Sequence, residues 1–372
     1  MTQYILFILG AFVVSACCGF FFIPLILNFC KEKKLYDIPN SRKVHRNAVP
    51  RLGGISFLPS MLIAFLFTTL AINNFTGYSQ VTFSLWSLYF FISLLLIYGV
   101  GFIDDLVGLG ATAKFTVQVI AALLLPLSGL YINNLYGFLG IWEIPYIVGA
   151  PLTVFIIVFI NNAINLIDGI DGLSASLSFI ALTGFLVCFL NEGVWLYSIL
   201  IAGLMGVLIP FLYYNLQGKA LENRKIFMGD SGSLTLGFIL GFLAVKYTMH
   251  NPHVMTFSPN SLLLSLTFLV VPVFDVVRVS LMRIHHRTAI FQADKNHIHH
   301  KLMRTGLNQH QTLVVILLLS LFYIGMNLLL IGHLQPTLIV ATDILVWIVF
   351  HLLLNRAIRK NGEQVFQVPH PS

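Results

Sequence analysis

Charged residues are scarce in this sequence. Asp, Glu, Lys and Arg together make up 9% of its 372 residues, whereas an average soluble domain contains about 25%. Hydrophobic residues account for 58%, well above the roughly 45–50% of soluble domains. So little charge cannot cover a surface that faces water, and the composition therefore excludes a soluble globular protein.

Cysteines and long polar segments are also scarce. The four cysteines, Cys17, Cys18, Cys30 and Cys188, show neither the spacing of metal ligands nor that of a disulfide framework. Three lie in apolar runs, where cysteine behaves as a small hydrophobic residue. The longest stretch between apolar runs has only about 30 residues, which leaves no room for a separate soluble domain.

Long apolar runs recur from one end of the chain to the other. Runs of about 20 apolar residues can cross a hydrocarbon layer roughly 30 Å thick as α-helices. Eleven such runs are separated by polar or Pro/Gly-rich breaks. Their approximate limits are 3–29, 53–72, 85–103, 114–131, 146–162, 172–190, 194–215, 232–248, 261–282, 312–331 and 337–355. We therefore predict an all-α, polytopic membrane protein with about eleven transmembrane helices.

Basic residues are distributed unevenly among the loops. Every second loop, beginning with residues 30–52, together with the C-terminal tail, carries 20 of the 21 Lys and Arg residues, and only Lys246 lies elsewhere. The positive-inside rule assigns these loops to the cytoplasm, which places the N-terminus outside and the C-terminus inside. Anionic lipid headgroups and an anionic substrate then explain the net charge of +7, and no nucleic-acid partner is expected.

Several acidic residues lie near the ends of apolar runs on that same side. They are Asp104 and Asp105 after the third run, Asp168 and Asp171 after the fifth, Asp230 before the eighth, and Asp294 before the tenth. An ionised Asp near the bilayer centre costs roughly 2.5–3.5 kcal/mol, so this placement predicts a shared polar cavity at the cytoplasmic surface. The positions of the acidic residues support this orientation independently, because the orientation is assigned from Lys and Arg alone.

The loop GFIDDLVGLGATAKF ends the third run with two adjacent carboxylates. The helix dipole repels Asp104 and Asp105 at this end unless a cation or a protonated partner offsets them. A metal-bound substrate nearby would provide that compensation. Lys114 adds a point charge that suits a pyrophosphate.

Two further loops, NNAINLIDGIDGLSA and ENRKIFMGDSGS, carry other acids. If the first forms a helical turn, Asn165, Asp168 and Asp171 are directed toward one locus. In the second, Asp230 precedes an apolar run, where the N-terminal amides of a helix attract anions and a carboxylate can hold a divalent cation.

Histidines dominate the loop HHRTAIFQADKNHIHHKLMRTGL. Asp294 with His297, His299 and His300 could bind zinc, but structural zinc sites usually include Cys or wider spacing, and we favour recognition of phosphate and sugar oxygens. The basic residues of the first loop, LYDIPNSRKVHRNAVPRLGGI, could be lipid anchors. The glycine pair 53–54 in that loop suits close approach of the backbone to a neighbour or ligand.

Together these loops resemble one family, the polyprenyl-phosphate N-acetylhexosamine-1-phosphate transferases. The resemblance extends from about residue 35 to residue 307 and follows the ordered motifs DIPNSRKVH…PRLGG, IDDLVG, NAINLIDGIDGL, FMGDSGS and HIHH. We accordingly expect a single membrane-embedded transferase domain over residues 1–372, with a short cytoplasmic tail at 356–372.

The resemblance implies a role for each matching residue. Asp104 and Asp105 are expected to form the catalytic acidic pair, and Asn165 and Asp230 to bind Mg²⁺, with Mn²⁺ as a substitute. The residues expected to bind substrate are Lys43, His45, Lys114, Asp168, Asp171, His297, His299 and His300. Gly108 stands where many relatives carry a further acid, so no third carboxylate of that loop is assigned a role.

The resemblance implies transfer of an N-acetylhexosamine-1-phosphate, interpreted as GlcNAc-1-phosphate, from a UDP-sugar to the lipid undecaprenyl phosphate, with release of UMP. The expected location is the bacterial inner membrane, with the active site on its cytoplasmic face. Three alternatives stay open: a phospho-N-acetylmuramoyl-pentapeptide transferase, whose last motif usually has three consecutive histidines; a secondary transporter, whose site is expected near the bilayer midplane; and an intramembrane aspartyl protease. A homodimer is also left open.

Overall fold

The computed structural model describes residues 2–36, 48–76, 85–222, 224–288 and 295–367. Within these ranges the chain forms twelve α-helices joined by turns and short loops. They are α1 (Thr2–Lys33), α2 (Phe57–Thr76), α3 (Leu85–Val107), α4 (Ala111–Leu127), α5 (Tyr146–Ile167), α6 (Leu173–Asn191), α7 (Trp195–Leu212), α8 (Gly229–Thr248), α9 (Ser261–His285), α10 (Ile298–Met303), α11 (Gln309–Leu330) and α12 (Pro336–Lys360). The prediction of an all-α fold is confirmed.

Ten of the helices in the described part of the chain are long and apolar enough to cross a membrane. The exceptions are α10, which has six residues, and α4, which has 17 residues. A helix rises about 1.5 Å per residue, so α4 is somewhat shorter than a hydrocarbon layer about 30 Å thick. The prediction of a multi-pass membrane protein is confirmed, and the run predicted at 114–131 corresponds to this shorter helix.

The centre of the bundle is α8, whose residues are all buried from Ser231 to Thr248. It packs against α3, α5, α6 and α9. Small residues permit this close packing, because a Cβ placed on Gly237 would lie 2.7 Å from the Cα of Asn161 in α5. Helices in membranes associate through such contacts, since lipid gives no hydrophobic driving force between them.

Lys246, the one basic residue outside the predicted cytoplasmic loops and tail, lies near the C-terminal end of α8. It is fully buried, and its Nζ lies 3.9 Å from the ring centroid of Trp86 in α3. An aromatic ring face attracts a cation, and this attraction strengthens when water is excluded. Lys246 therefore links α8 to α3 at the end of the bundle opposite Asp230.

Two sequence motifs that are far apart in the chain meet where α8 begins. Gly53 N–H donates to the carbonyl of Phe227 at 2.9 Å, and Gly54 N–H donates to the carbonyl of Met228 at 2.8 Å. A Cβ on Gly54 would lie only 2.1 Å from Gly232 Cα, so the close backbone approach predicted for this glycine pair is confirmed. The segment before α2 thereby fixes the position of the α8 N-terminus.

Candidate active site

Asp105 holds the N-terminus of α8. Its Oδ1 accepts a hydrogen bond from the backbone N–H of Asp230 at 2.8 Å, and its Oδ2 accepts one from the N–H of Ser231 at 2.9 Å. A carboxylate at this position satisfies two N–H groups that lack partners within the helix and favourably faces the positive end of the helix dipole. The anion that the N-terminus of α8 attracts is therefore a side chain of the protein.

Gly101 makes this arrangement possible. It lies one turn before Asp105 on the same face of α3, and a Cβ there would lie 2.7 Å from the carbonyl oxygen of Asp230. The backbone carbonyl of Asp105 also accepts from Arg51 Nε at 3.0 Å. The end of α3, the start of α8 and the segment before α2 are thus held together.

Asp104, the neighbour of Asp105, instead faces Lys114. Lys114 Nζ lies 3.3 Å from Asp104 Oδ2 and 2.7 Å from Asp230 Oδ2, so one ammonium group bridges two carboxylates. Asp104 Oδ1 also accepts from the backbone N–H of Leu109 at 2.6 Å. The compensation predicted for the adjacent carboxylates therefore has two sources in the chain, Lys114 for Asp104 and the helix N-terminus for Asp105.

Three carboxylates close to one another leave this cluster with an excess of negative charge. Oxygen atoms of Asp104, Asp105 and Asp230 lie within 4.8 Å of one another, close enough to share a metal ion. Carboxylate oxygens are the ligands that Mg²⁺ prefers, so the residues fit a divalent cation. The structure thus brings together the predicted catalytic pair and one predicted metal ligand.

Asn165, the other predicted metal ligand, lies beside Asp230. Its amide Nδ2 donates to Asp230 Oδ1 at 3.2 Å and to Ser233 Oγ at 2.8 Å. In this arrangement the amide nitrogen, rather than the amide oxygen, faces the carboxylate, and Asn165 orients Asp230. The third sequence motif, at the end of α5, therefore joins the cluster formed by α3, α4 and α8.

The loop between α5 and α6 is not the helical turn that the residue spacing suggested. α5 ends at Ile167, and Asp168 has a non-helical backbone with φ −74° and ψ 57°. Asp171 is directed elsewhere and pairs with Lys225 at 2.5 Å. Gly172, just before α6, has a φ of 74°, in the left-handed region that glycine adopts without strain, and it allows the chain to turn into α6.

Asp168 lies close to this cluster of negative charge. Burial, followed by the charges of Asp230, Asp171 and Asp105, raises the pKa of Asp168 to about 7. A carboxyl group with this pKa is partly protonated near neutral pH, which reduces repulsion among the acids. Any ligand that brings positive charge to the cluster would favour the ionised form of Asp168.

His297 is held by an aspartate that the sequence analysis missed. Asp275 in α9 is fully buried; its Oδ2 lies 2.8 Å from His297 Nδ1. Its Oδ1 accepts from the N–H of Ile298 at 3.0 Å and from Arg278 Nη2 at 2.7 Å. Since Nδ1 faces Asp275, Nε2 is the ring nitrogen that His297 has left for a ligand.

His299 packs beneath the loop that carries Asp168. A Cβ on Gly169 would lie 2.1 Å from His299 Nε2, so only glycine fits there without displacing the ring. Burial and the neighbouring His300 and His297 hold the pKa of His299 well below its usual range, so the ring is neutral. Among the described residues, the carboxylates rather than the histidines are grouped closely enough to share a metal ion.

A cavity of about 660 Å³ connects the carboxylate cluster to the histidines. Its polar lining includes Lys114, Asn165, Asp230, Arg283, His297, His299 and His300. Its apolar lining comes mainly from α4 and α5 and includes Phe115, Val119, Val154, Phe155, Val158 and Phe159. A ligand that fills this space meets charge at one side and an apolar wall at another.

Two residues predicted to bind substrate, Lys43 and His45, lie outside the described residues. Three further polar residues of this region were not predicted from the sequence. They are Asn215, which accepts from the Gly172 N–H at 2.6 Å, Lys225 and Asp275. Asp275 could have been found from the sequence, because it is an ionisable residue within the apolar run at 261–282. Such an intramembrane residue is a functional candidate by default.

Comparison with known proteins identifies the family. The model of glycosyl transferase family 4 matches residues 85–248. A probable undecaprenyl-phosphate N-acetylglucosaminyl 1-phosphate transferase of Bacillus subtilis is 31% identical, over 85% of this chain and 83% of the relative. The chain belongs to glycosyl transferase family 4. Undecaprenyl-phosphate α-N-acetylglucosaminyl 1-phosphate transferases of Yersinia pestis and Escherichia coli K12 are 30% and 29% identical, over 76% and 80% of this chain and 73% and 78% of the relatives.

The matched region of this family 4 transferase extends from the start of α3 to the end of α8. It contains the three carboxylates, and of this cluster Lys114, Asn165 and Asp230 line the cavity. The histidines and Arg283, which line another part of the cavity, lie beyond the matched region, as does Asp275. The family resemblance deduced from the sequence motifs is confirmed.

Proposed function

We propose that this family 4 transferase transfers GlcNAc-1-phosphate from UDP-GlcNAc to undecaprenyl phosphate and releases UMP, as the first membrane step in the synthesis of a cell-envelope polysaccharide. The observation that carries this proposal is the cavity, which joins a carboxylate and lysine cluster to an apolar wall. One substrate is an anionic nucleotide-sugar and the other a phosphate on a long apolar chain, so both surfaces are needed. The names of the relatives from three bacteria agree with this assignment.

The two substrates are anions that repel each other, so catalysis depends on holding them together. Lys114, placed between Asp104 and Asp230, would contact the donor pyrophosphate. Asp104 and Asp230, with Asn165 orienting Asp230, would hold Mg²⁺, which when bound offsets phosphate charge during phosphoryl transfer. Positioning of this kind accounts for most of the catalysis in phosphoryl-transfer enzymes.

An oxygen of the lipid phosphate attacks the sugar-bearing phosphorus of the donor, and the bond from that phosphorus to UMP breaks. One phosphoanhydride replaces another, so the step needs no ATP and is reversible. Asp105 already accepts two backbone N–H groups, and we assign it the role of positioning α8. Asp104, whose Oδ2 faces Lys114, is therefore the member of the acidic pair that we assign to contact with the substrate or metal.

The histidines supply the second side of the site. His297, fixed by Asp275, and the neutral ring of His299 are suited to hydrogen bonds with sugar and phosphate oxygens. The motif HIHH also separates this chain from the muramoyl-pentapeptide transferases that it resembles less. The orientation given by the basic loops, with the N-terminus outside and the C-terminus inside, would place this site on the cytoplasmic face of the inner membrane.

The direct test uses detergent-solubilised protein with UDP-GlcNAc labelled in the sugar, undecaprenyl phosphate and Mg²⁺. We expect label to enter the organic phase, and added UMP to regenerate UDP-GlcNAc from the purified lipid product. The same assay with UDP-N-acetylmuramoyl-pentapeptide and other UDP-hexosamines defines the donor. If no donor labels the lipid, the proposed reaction is wrong.

Replacing Gly169 with alanine is expected to reduce transfer about tenfold or more, because the new Cβ would lie 2.1 Å from His299 Nε2 and a small misplacement in a site carries a cost of this size. Gly325→Ala is the control, since Gly325 in α11 has no atom within 4 Å of an added Cβ. Steady-state rates and melting curves of both variants test this prediction. Equal rates would show that the position of His299 is unimportant.

Removing the charge of Asp168 should stabilise the metal-free protein above about pH 7. Its raised folded-state pKa means that the folded chain retains a proton that the unfolded chain has lost between pH 3.8 and about 7. Stability therefore falls as the pH rises through this window, and the loss is complete above it. Asp168→Asn should flatten this dependence and raise the melting temperature at about pH 8 by roughly 2 °C or more.

The measurement for Asp168 is a set of melting curves in EDTA over a range of pH, with the wild type and Asp171→Asn as comparisons. Asp171 is paired with Lys225, so its replacement should lower the melting temperature instead. A wild-type pH profile that Asp168→Asn leaves unchanged would contradict the prediction.

A further inference from the structure

Residues 361–367, which follow α12, turn back and lie against the segment that carries His297, His299 and His300. Residues 364–367, called the C-terminal strap below, have no regular secondary structure, so their backbone polar groups need partners elsewhere. They find these partners in residues 295–304, called the histidine segment, which contains His297, His299 and His300. The strap therefore contacts a part of the site that is 60 to 71 residues earlier in the chain.

Asn296 makes the central contact. Its Nδ2 donates to the carbonyl of Gln367 at 2.9 Å, and its Oδ1 accepts from the N–H of Gln367 at 3.0 Å. The Asn296 side chain thus pairs with the strap backbone through both ends of its amide, much as a neighbouring peptide group would. Asn296 is fully buried, and this reciprocal pairing fixes its rotamer.

Two other contacts hold the strap in place, one at Gln364 and one at Phe366. The guanidinium of Arg304 donates from Nη1 to the carbonyl of Gln364 at 2.7 Å and from Nη2 to the carbonyl of Lys295 at 3.0 Å, and so it bridges the strap and the histidine segment. The ring of Phe366 stacks on His286 just after α9, with ring centroids 3.9 Å apart. The strap consequently joins the end of α9 to the histidine segment.

These contacts lead directly to the site. Asn296 immediately precedes His297, and its backbone carbonyl accepts from Arg278 Nη2 at 2.6 Å. Arg278 in turn pairs with Asp275, the residue that holds His297 Nδ1. The backbone that carries His297 is therefore held on its inner side by α9 and on its outer side by the strap.

We propose that the C-terminal strap is a positioning element of the donor site, which holds His297 and the histidine segment in the geometry that receives the sugar-phosphate of a nucleotide-sugar. This inference rests on the proposed function for its substrate. Residues 364–367 do not line the cavity between the carboxylate cluster and the apolar wall, so we expect the strap to act on the donor through the histidine segment. Loss of the strap should weaken donor binding without weakening lipid binding.

The test compares two truncations of the full chain. Removal of residues 363–372 deletes the strap, whereas removal of residues 368–372 leaves it complete and is the control. We expect the first truncation to raise KM for UDP-GlcNAc between about tenfold and 100-fold and to leave KM for undecaprenyl phosphate unchanged. The control should behave as the full chain.

A point variant tests the same contact without shortening the chain. Asn296→Ala removes both hydrogen bonds to Gln367 and should reproduce the donor-specific rise in KM. Phe366→Ala, which removes only the ring stack on His286, should have a smaller effect in the same direction. If truncation raised both KM values equally and lowered the melting temperature, the strap would be a structural element only, and the proposal would be wrong.

Amide hydrogen exchange separates failure of this inference from failure of the proposed function. Deleting the strap should accelerate exchange in residues 295–304 while leaving α8 unaffected, whatever the substrate is. Unchanged exchange in the histidine segment would overturn the inference. Absence of transfer from every UDP-sugar by the full chain would overturn the proposed function alone.

Discussion

Asp230→Asn is expected to reduce transfer at least about 100-fold, the scale at which loss of a group that stabilises transition-state charge is measured. The substitution keeps the shape of the side chain but removes the charge that faces Lys114 at 2.7 Å and the oxygen set shared with Asp104 and Asp105. The melting temperature should change little, because Asp105 holds the start of α8 through the backbone N–H of residue 230. Rates measured over a Mg²⁺ titration check both expectations.

A second buried carboxylate provides the matched control for Asp230. Asp343 in α12 is fully buried and accepts from Asn327 Nδ2 at 2.9 Å, but it does not line the cavity. Asp343→Asn therefore removes a buried charge without touching the site, and transfer should remain close to that of the wild type. An Asp230→Asn protein with a normal rate and an unchanged Mg²⁺ dependence would remove Asp230 from the chemistry.

Asp104→Asn and Asp105→Asn should both reduce transfer, but for different reasons. In Asp105→Asn the new NH₂ group faces the N–H of Asp230 or of Ser231, and a buried donor without a partner costs about 1–3 kcal/mol. Both transfer and the melting temperature should fall. Asp104→Asn can still accept from Leu109 N–H, so its fold should persist while transfer falls at least about 100-fold.

The decisive measurement for this pair is the melting temperature in the absence of substrate and metal, set beside the rate of transfer. We expect a drop of several degrees for Asp105→Asn and a drop of about 2 °C or less for Asp104→Asn. If the two variants lost stability equally, Asp105 would not be the residue that positions α8. If Asp104→Asn kept a normal rate, the assignment of Asp104 to the substrate or metal would be wrong.

The carboxylate cluster could be predicted because it obeys rules that are local in sequence. Apolar runs of membrane length fix which loops share a side, and the acids that end or begin those runs must then lie near one surface. Asp104, Asn165 and Asp230 follow from this reasoning, although 126 residues separate the first from the last. The distances between these residues depend on close packing at Gly101 and Gly54. The sequence shows that these two residues are small but does not show which atoms they contact.

Other parts of the site depend on contacts that no local pattern encodes. Asp275 lies in the middle of an apolar run, and its partner His297 is 22 residues later, beyond a loop. The spacing of Asp168 and Asp171 fits a helical turn, but α5 ends at Ile167 and the backbone of Asp168 is already non-helical, so the two side chains are directed apart. The pairing of Asp171 with Lys225 likewise requires the three-dimensional arrangement of two loops.

Among the described residues, ten helices could span the membrane, and α8 is the least apolar of them yet the one most completely enclosed by protein. A segment with many glycines and hydroxyl groups gains little from lipid, so its stable place in the bilayer depends on neighbours that are already present. Biogenesis of this enzyme should therefore be cooperative around α8, with α3 and α5 docking before the carboxylates can meet. A partly inserted chain would contain every side chain of the carboxylate cluster and still have no site.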